Sequence, residues 1–135
     1  MLDEWITFRA KVEADKDRLN GADLSDAKLM RAKLSGAKLS GADLSEAYLM
    51  RADLTNADLT HVNFRGAVLS EADLAGADLK DAEFMDAYLC GANLAGVRNL
   101  TCDQLELANL DRDTKLPDYI SLQWVSDTAF RCSER

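Results

Sequence analysis

Residues 22–41 read Ala22-Asp23-Leu24-Ser25-Asp26-Ala27-Lys28-Leu29-Met30-Arg31-Ala32-Lys33-Leu34-Ser35-Gly36-Ala37-Lys38-Leu39-Ser40-Gly41. Every fifth residue is Leu, and Ala stands two places before each one. Outward from this stretch the pattern runs without a gap from Leu19 to Leu94, with Phe64 and Phe84 replacing Leu and Val62 replacing Ala. Asp, Asn or Lys usually precedes the central residue, Ser or Thr often follows it, and all seven glycines share the phase two places after it.

A period of five fits neither regular structure. On an α-helix successive leucines fall about 140° apart and cover every face. On a straight strand an odd spacing sends alternate leucines to opposite faces. Within one repeat, however, Ala and Leu are two apart and share a face. The pattern works if the chain bends once per repeat, and the phased glycines mark the bends. Arg31, Glu46, Arg51 and His61 share that phase, so two turn types are expected, only one with positive φ.

The runs Ala22-Asp23-Leu24-Ser25, Ala42-Asp43-Leu44-Ser45, Ala52-Asp53-Leu54-Thr55 and Ala92-Asn93-Leu94-Ala95 resemble the A(D/N)LxX motif of the pentapeptide-repeat family. Fifteen units in register cover residues 22–96. The resemblance implies an all-β solenoid: a right-handed quadrilateral β-helix with four pentapeptides per coil and the Ala and Leu positions inward. The repeats then make about four coils, about 19 Å tall at a strand spacing of about 4.8 Å. Val62, beside Phe64, reads as local repacking.

Folding the sequence on 20 residues gives four sides. The first carries Asp23, Asp43, Asn63 and Glu83 before its central residues, the third Lys33, Asp53, Asp73 and Asn93, and the fourth Lys38, Asp58 and Asp78. The second differs, with Lys28, Tyr48, Val68 and Tyr88 before its leucines and Met30, Met50, Ser70 and Cys90 after them. An apolar stripe on a solvent-facing wall needs a cover. Met30, Tyr48, Met50, Val68 and Tyr88 are therefore the candidate interaction surface, covered by the chain's own tail through Trp124 or Phe130, or by a partner. Asp53, Asp58, Asp73 and Asp78 form a candidate acidic patch, either a solvated face or a dock for a basic partner.

The flanks divide the chain into an N-terminal capping helix (1–18), the β-helix (19–96) and a helical or irregular tail (97–135). Asp3 is the expected N-cap of a helix over 3–17, with Leu2, Trp5, Ile6, Phe8 and Val12 as its apolar positions. The register breaks at Val97, and Thr101-Cys102-Asp103-Gln104 forms a capping box that opens a short helical tail. The tail through Pro117 is similar to C-terminal segments of cyanobacterial members of the family, and the apolar residues beyond it are expected to pack on the protein.

Chemistry is sparse. Lone His61 sits at a bend, equally spaced carboxylates lack the contrast that separates acid from base, and no phosphate loop, dinucleotide fingerprint or metal-ligand cluster occurs. No catalytic, cofactor-binding or metal-binding residues are assigned, and no enzyme activity or small-molecule substrate is expected. The net charge of −8 argues against nucleic acid and anionic membrane as direct partners. The N-terminus shows no signal-peptide pattern, and no apolar run approaches the ~18 residues of a membrane span. Cys90, Cys102 and Cys132 are expected as reduced thiols in a cytoplasmic protein. The expected role is protein–protein interaction or scaffolding, with a foreign protein or a second copy as partner. The alternative is a DNA mimic acting on a type II topoisomerase, as some family members do. Against it stand the short rod and a charge of only −5 from 12 acidic and 7 basic residues in 22–96.

Overall fold

A computed structural model describes residues 3–135; the expected apolar role of Leu2 lies outside them. Between Leu19 and Arg98 the chain winds into a coil that closes every 20 residues. Asp23 pairs in parallel with Asp43, Asp43 with Asn63, and Asn63 with Glu83, and the other three sides form equivalent ladders. Each strand is so short that one residue per side bridges to the next coil, so the solenoid is built from corners as much as from strands.

The backbone accounting of one repeat shows what holds it together. In residues 42–46, the Ala42 N–H closes the preceding turn onto the Leu39 carbonyl at 2.9 Å. Asp43 N–H donates down to Ala22 at 2.9 Å, while Leu44 and Glu46 donate up to Asn63 and Arg65, each at 2.8 Å. The fifth donor, Ser45 N–H, is taken by the Asp43 side chain at 2.9 Å. Asp or Asn before the central residue is thus a turn-closing acceptor as well as surface charge.

The inside is a column of Leu and Phe lined by Ala. Central residues from Leu29 to Leu94 are essentially inaccessible, as are the alanines between them. Full burial of each large side chain contributes roughly 1.5–3 kcal/mol, an upper estimate before chain entropy. Phe64 and Phe84 stack at 5.3 Å between centroids with 14° between planes. The Ala position tolerates little more than a methyl. Turn bonds closed by Ala measure 2.9–3.1 Å, whereas those closed by Val62 and Val97 stretch to 3.3 Å. Extra methyls at a crowded inner corner push the chain apart.

The expectation of two turn types is corrected. Every corner from Gly21 to Gly96 has positive φ, at 68–73° for the glycines and 58–60° for Asp26, Arg31, Glu46, Arg51, Asn56, His61, Glu71, Asp81 and Asp86. Positive φ at the third turn position is the type II signature. A non-glycine residue there costs about 1–2 kcal/mol. It persists because the turn bond and, at all of these corners except Asp81, the corner N–H bond to the next coil over-determine the backbone.

The N-terminal cap is more polar than expected. Helix α1 spans Glu4–Ala14, and a 3-10 turn follows at Lys16–Arg18. Asp3 occupies the N-cap position but makes no side-chain cap bond. Only Val12 of α1 is buried, while Ile6 and Phe8 are 39% and 42% exposed. The open edge of the first coil is closed instead by hydrogen bonds: Arg9 donates to the Met30 carbonyl, Lys16 to that of Ser35, and Glu13 accepts the Lys33 N–H at 2.6 Å.

The C-terminal end departs from the expected helical tail. The ladder continues past residue 96, with Arg98 pairing onto Asp78, Asn109 onto Tyr88 and Lys115 onto Asn93. Helix α2 (Cys102–Glu106) replaces the first side of this last coil, and its Thr101–Gln104 capping box is formed. Gln104 also donates to the Leu79 and Ala82 carbonyls at 2.8 and 2.9 Å, holding α2 over the end of the core, where Leu105 is buried. Beyond Pro117 the chain forms an antiparallel hairpin, β1 (Ile120–Trp124) with β2 (Phe130–Glu134). The alternation Ile120, Leu122, Trp124 against Ser121 and Gln123 is a strand period, which overrides the helical reading.

The expectation of three reduced thiols is also corrected. Cys102 and Cys132 form a disulfide that ties β2 to α2, and Cys90 alone is free. Thirty residues apart in sequence, the two cysteines meet only because the hairpin folds back onto the helix. No helix among the described residues is long and apolar enough to cross a membrane.

Candidate interaction surface

The second side is built by the same ladder as the rest, with Lys28, Tyr48, Val68 and Tyr88 paired in order. It differs in its turns. On the other three sides Asp23, Asp43, Asp53, Asp58, Asn63, Asp73, Asp78 and Asn93 each accept the N–H two residues on. Lys, Tyr and Val offer no carboxylate or carboxamide there, so the second side gives up these turn locks for apolar surface. Tyr48 and Tyr88 are 43% and 47% exposed, while Met30, Met50 and Val68 are half-buried between neighbours.

The tail does not cover this stripe, which corrects the expected cover. Trp124 and Phe130 pack edge-to-face on each other at 5.4 Å, with the Arg112 guanidinium 5.3 Å over the Trp124 ring. The hairpin root is fixed at the solenoid's end, where the Tyr119 hydroxyl accepts the Leu100 N–H and donates to the Val97 carbonyl. The apolar residues of the tail thus seal the last coil.

Two columns of corners border the stripe. Asp26, Glu46, Gly66 and Asp86 lie on one edge, and Arg31, Arg51, Glu71 and Gly91 on the other. Arg51 and Glu71 pair at 2.8 Å, both about half exposed. A side chain at Gly66 would collide with the Glu46 carboxylate, so that carboxylate lies along its column toward the third coil.

The candidate acidic patch is split between the third and fourth sides. Asp53 pairs with Asp73, and Asp58 with Asp78. In each, one carboxylate oxygen is committed to its own turn, and Asn93 and Asn99 donate further bonds to Asp73 and Asp78. The Asn99 carboxamide holds the Asp78 carboxyl below its usual range, aided by the Lys80 N–H and the Arg98 charge, against the opposing effect of burial. Sequence reading missed this role, although the recurring Asp-x-Ser and Asp-x-Thr spacing signals it. No group of three or more metal-ligating side chains gathers among the described residues.

Other candidate chemistry does not assemble. His61 is exposed, with its Nε2 3.8 Å from Asp81. Burial raises the Cys90 thiol pKa, and Asp111 adds to that, which lowers its reactivity at neutral pH. A cleft of about 590 Å³ opens between the wall and the tail, lined by Lys80, Asp81, Asn99, Gln104, Tyr119 and Glu134. It holds no nucleophile set against a base.

The pentapeptide-repeat profile matches eight copies over residues 18–46 and 47–84. Among solved structures the chain is similar to alr5209, a pentapeptide repeat protein from Nostoc PCC 7120, at 31% identity over 85% of this chain and 84% of that one, with a TM-score of 0.27. It is 33% identical to Rfr23 from the cyanobacterium Cyanothece 51142 over 67% of this chain and 64% of that one, with a TM-score of 0.33. It is 29% identical to HetL, involved in heterocyst differentiation regulation in Nostoc PCC 7120, over 74% and 60% of the two chains, with a TM-score of 0.31. The chain thus spans less than two thirds of the length of Rfr23 and HetL. No curated protein matches. On its repeats and its identity to alr5209 across most of both chains, this protein belongs to the pentapeptide-repeat family.

Proposed function

We propose that the chain is a non-catalytic interaction module that docks a protein through its second side. The observation that carries this reading is the ladder of Tyr48, Val68 and Tyr88, with both tyrosines exposed, on a wall whose three counterparts carry turn-locking Asp and Asn. Tyrosine suits a docking wall because its ring gives up water readily while its hydroxyl finds a partner. Met30 and Met50 beside it adapt to an irregular surface. The family implies a right-handed coil, and we adopt that sense.

A photo-crosslinking residue at position 48 or 88 tests the reading against the same residue at 58 or 78. Crosslinks confined to positions 48 and 88 support it, and equal yields on all sides would overturn it. DNA mimicry receives less support, because Lys33, Lys38, Lys80 and Arg98 interrupt the acidic columns of the third and fourth sides. The compartment follows the redox state of Cys102–Cys132. The Cys102–Cys132 disulfide favours an oxidising compartment over the cytoplasm expected from the sequence.

A further inference from the structure

We propose that the partner of the second side is a second copy of this chain, paired face to face about a two-fold axis parallel to the solenoid axis. This inference rests on the docking reading above and adds to it a partner and an orientation.

The argument is one of charge and symmetry. Asp26, Glu46 and Asp86 border the stripe on one edge, and Arg31, Arg51 and Glu71 border it on the other, all of them exposed, with Glu71 paired to Arg51 of its own chain. A two-fold axis between two such faces and parallel to the solenoid axis keeps each coil at its own level and exchanges the two edges. Asp26 then faces Arg31 of the second copy and Glu46 faces Arg51, and the symmetry repeats both pairs. The side chains lean the same way. The Glu46 carboxylate reaches along its column to Gly66, and the Arg51 guanidinium reaches along its own to Glu71, so both rise toward the third coil. Between the edges, Tyr48 meets Met50 of the second copy, Val68 meets Ser70, and Tyr88 meets Cys90, so each larger group lies against a smaller or more flexible one.

The other closed arrangement is disfavoured. A two-fold axis perpendicular to the solenoid axis sets Arg51 against Glu71 of the second copy, a pairing each chain already makes within itself. It also leaves Arg31 opposite Gly91 and sets Asp26 against Asp86, and like charges facing each other across an interface oppose association. The chosen arrangement is still modest. One side of a rod of five stacked strands, about 24 Å tall, is smaller than the ~800 Å² per partner of a standard interface. Pairing is therefore weak and concentration-dependent.

Sedimentation equilibrium over a wide concentration range, with circular dichroism to confirm folding, tests this. Salt alone does not decide it, because the net charge of −8 opposes association and is screened together with the ion pairs. Charge reversal decides. Glu46→Arg leaves both faces basic at that level and Arg51→Glu leaves both acidic, so each alone weakens dimerisation by about tenfold or more. An equimolar mixture of the two variants restores it, since every facing pair is then opposite in sign. The double variant Glu46→Arg/Arg51→Glu restores it within one chain. A wild-type chain that stays monomeric at millimolar concentration overturns self-pairing and leaves the docking reading to its crosslinking test. A dimer unchanged by Tyr88→Asp and by both reversals overturns self-pairing through the second side.

Discussion

Asp53 accepts two hydrogen bonds from Thr55 through one carboxylate oxygen, the backbone N–H at 3.0 Å and the hydroxyl at 2.7 Å. The same bond to the N–H two residues on recurs on three sides of the solenoid. It offsets the repulsion of stacked carboxylates. Two charges about 4.8 Å apart repel by about 3.5 kcal/mol at an effective dielectric of 20 and by under about 1 kcal/mol in water. At this half-wet wall the lower figure applies.

Asp53→Ala is expected to lose about 1 kcal/mol of stability, one turn bond. Asp53→Asn keeps the acceptor and relieves repulsion from Asp73, so it changes stability by only a few tenths. Converting Asp53, Asp58, Asp73 and Asp78 together to Asn should leave the low-salt melting temperature unchanged or higher, while the four Ala changes lower it. Urea unfolding of both sets checks this, and equal loss in the two would remove the turn-lock explanation.

Acid dependence follows from Asp78. Its carboxyl is held below the usual value by Asn99, so the folded form releases its proton at lower pH than the unfolded chain. The resulting stability is present above the unfolded value of about 3.9 and is lost as pH falls through the folded one. Asn99→Ala should move the Asp78 titration upward and flatten the acid limb of stability. Carboxyl chemical shifts followed against pH by NMR report the shift directly.

The corners give a paired test with little packing change. Gly41 has φ 71° with open space where a Cβ would stand, and His61 stacks on it in the next coil with φ 59°. Gly41→Ala should cost about 1 kcal/mol in backbone strain alone. His61→Gly should gain about 0.5 kcal/mol, the strain relieved less the extra freedom of the unfolded chain. Thermal unfolding of the two variants should move in opposite directions.

Cutting the disulfide should act locally. Closing a loop of this length is worth about 3–4 kcal/mol in chain entropy, and an isolated two-stranded hairpin is marginal in water. Cys132→Ser, or reduction of the native chain, should release residues 119–135 while the repeats stay folded. Hydrogen exchange localises the effect, and a hairpin as protected after reduction as before would contradict it.

The sequence by itself determined the repeat, the bend in every repeat, the inward Ala and Leu columns and the odd second side. All of these follow from period and phase, which local chemistry writes directly into the chain. The turn-locking role of Asp53 was legible too, in its spacing to Thr55, but it was hidden behind a reading of surface charge. So was the alternation of Ile120, Leu122 and Trp124 that makes β1 a strand. Only the tertiary structure decided the rest. Arg31 and Glu46 adopt positive φ against their own preference because bonds to the neighbouring coil fix the backbone around them. Cys102 meets Cys132, and Tyr88 stays bare, because the hairpin seals the solenoid's end and does not fold along its wall. That placement depends on contacts between residues far apart in the chain, which no local pattern records.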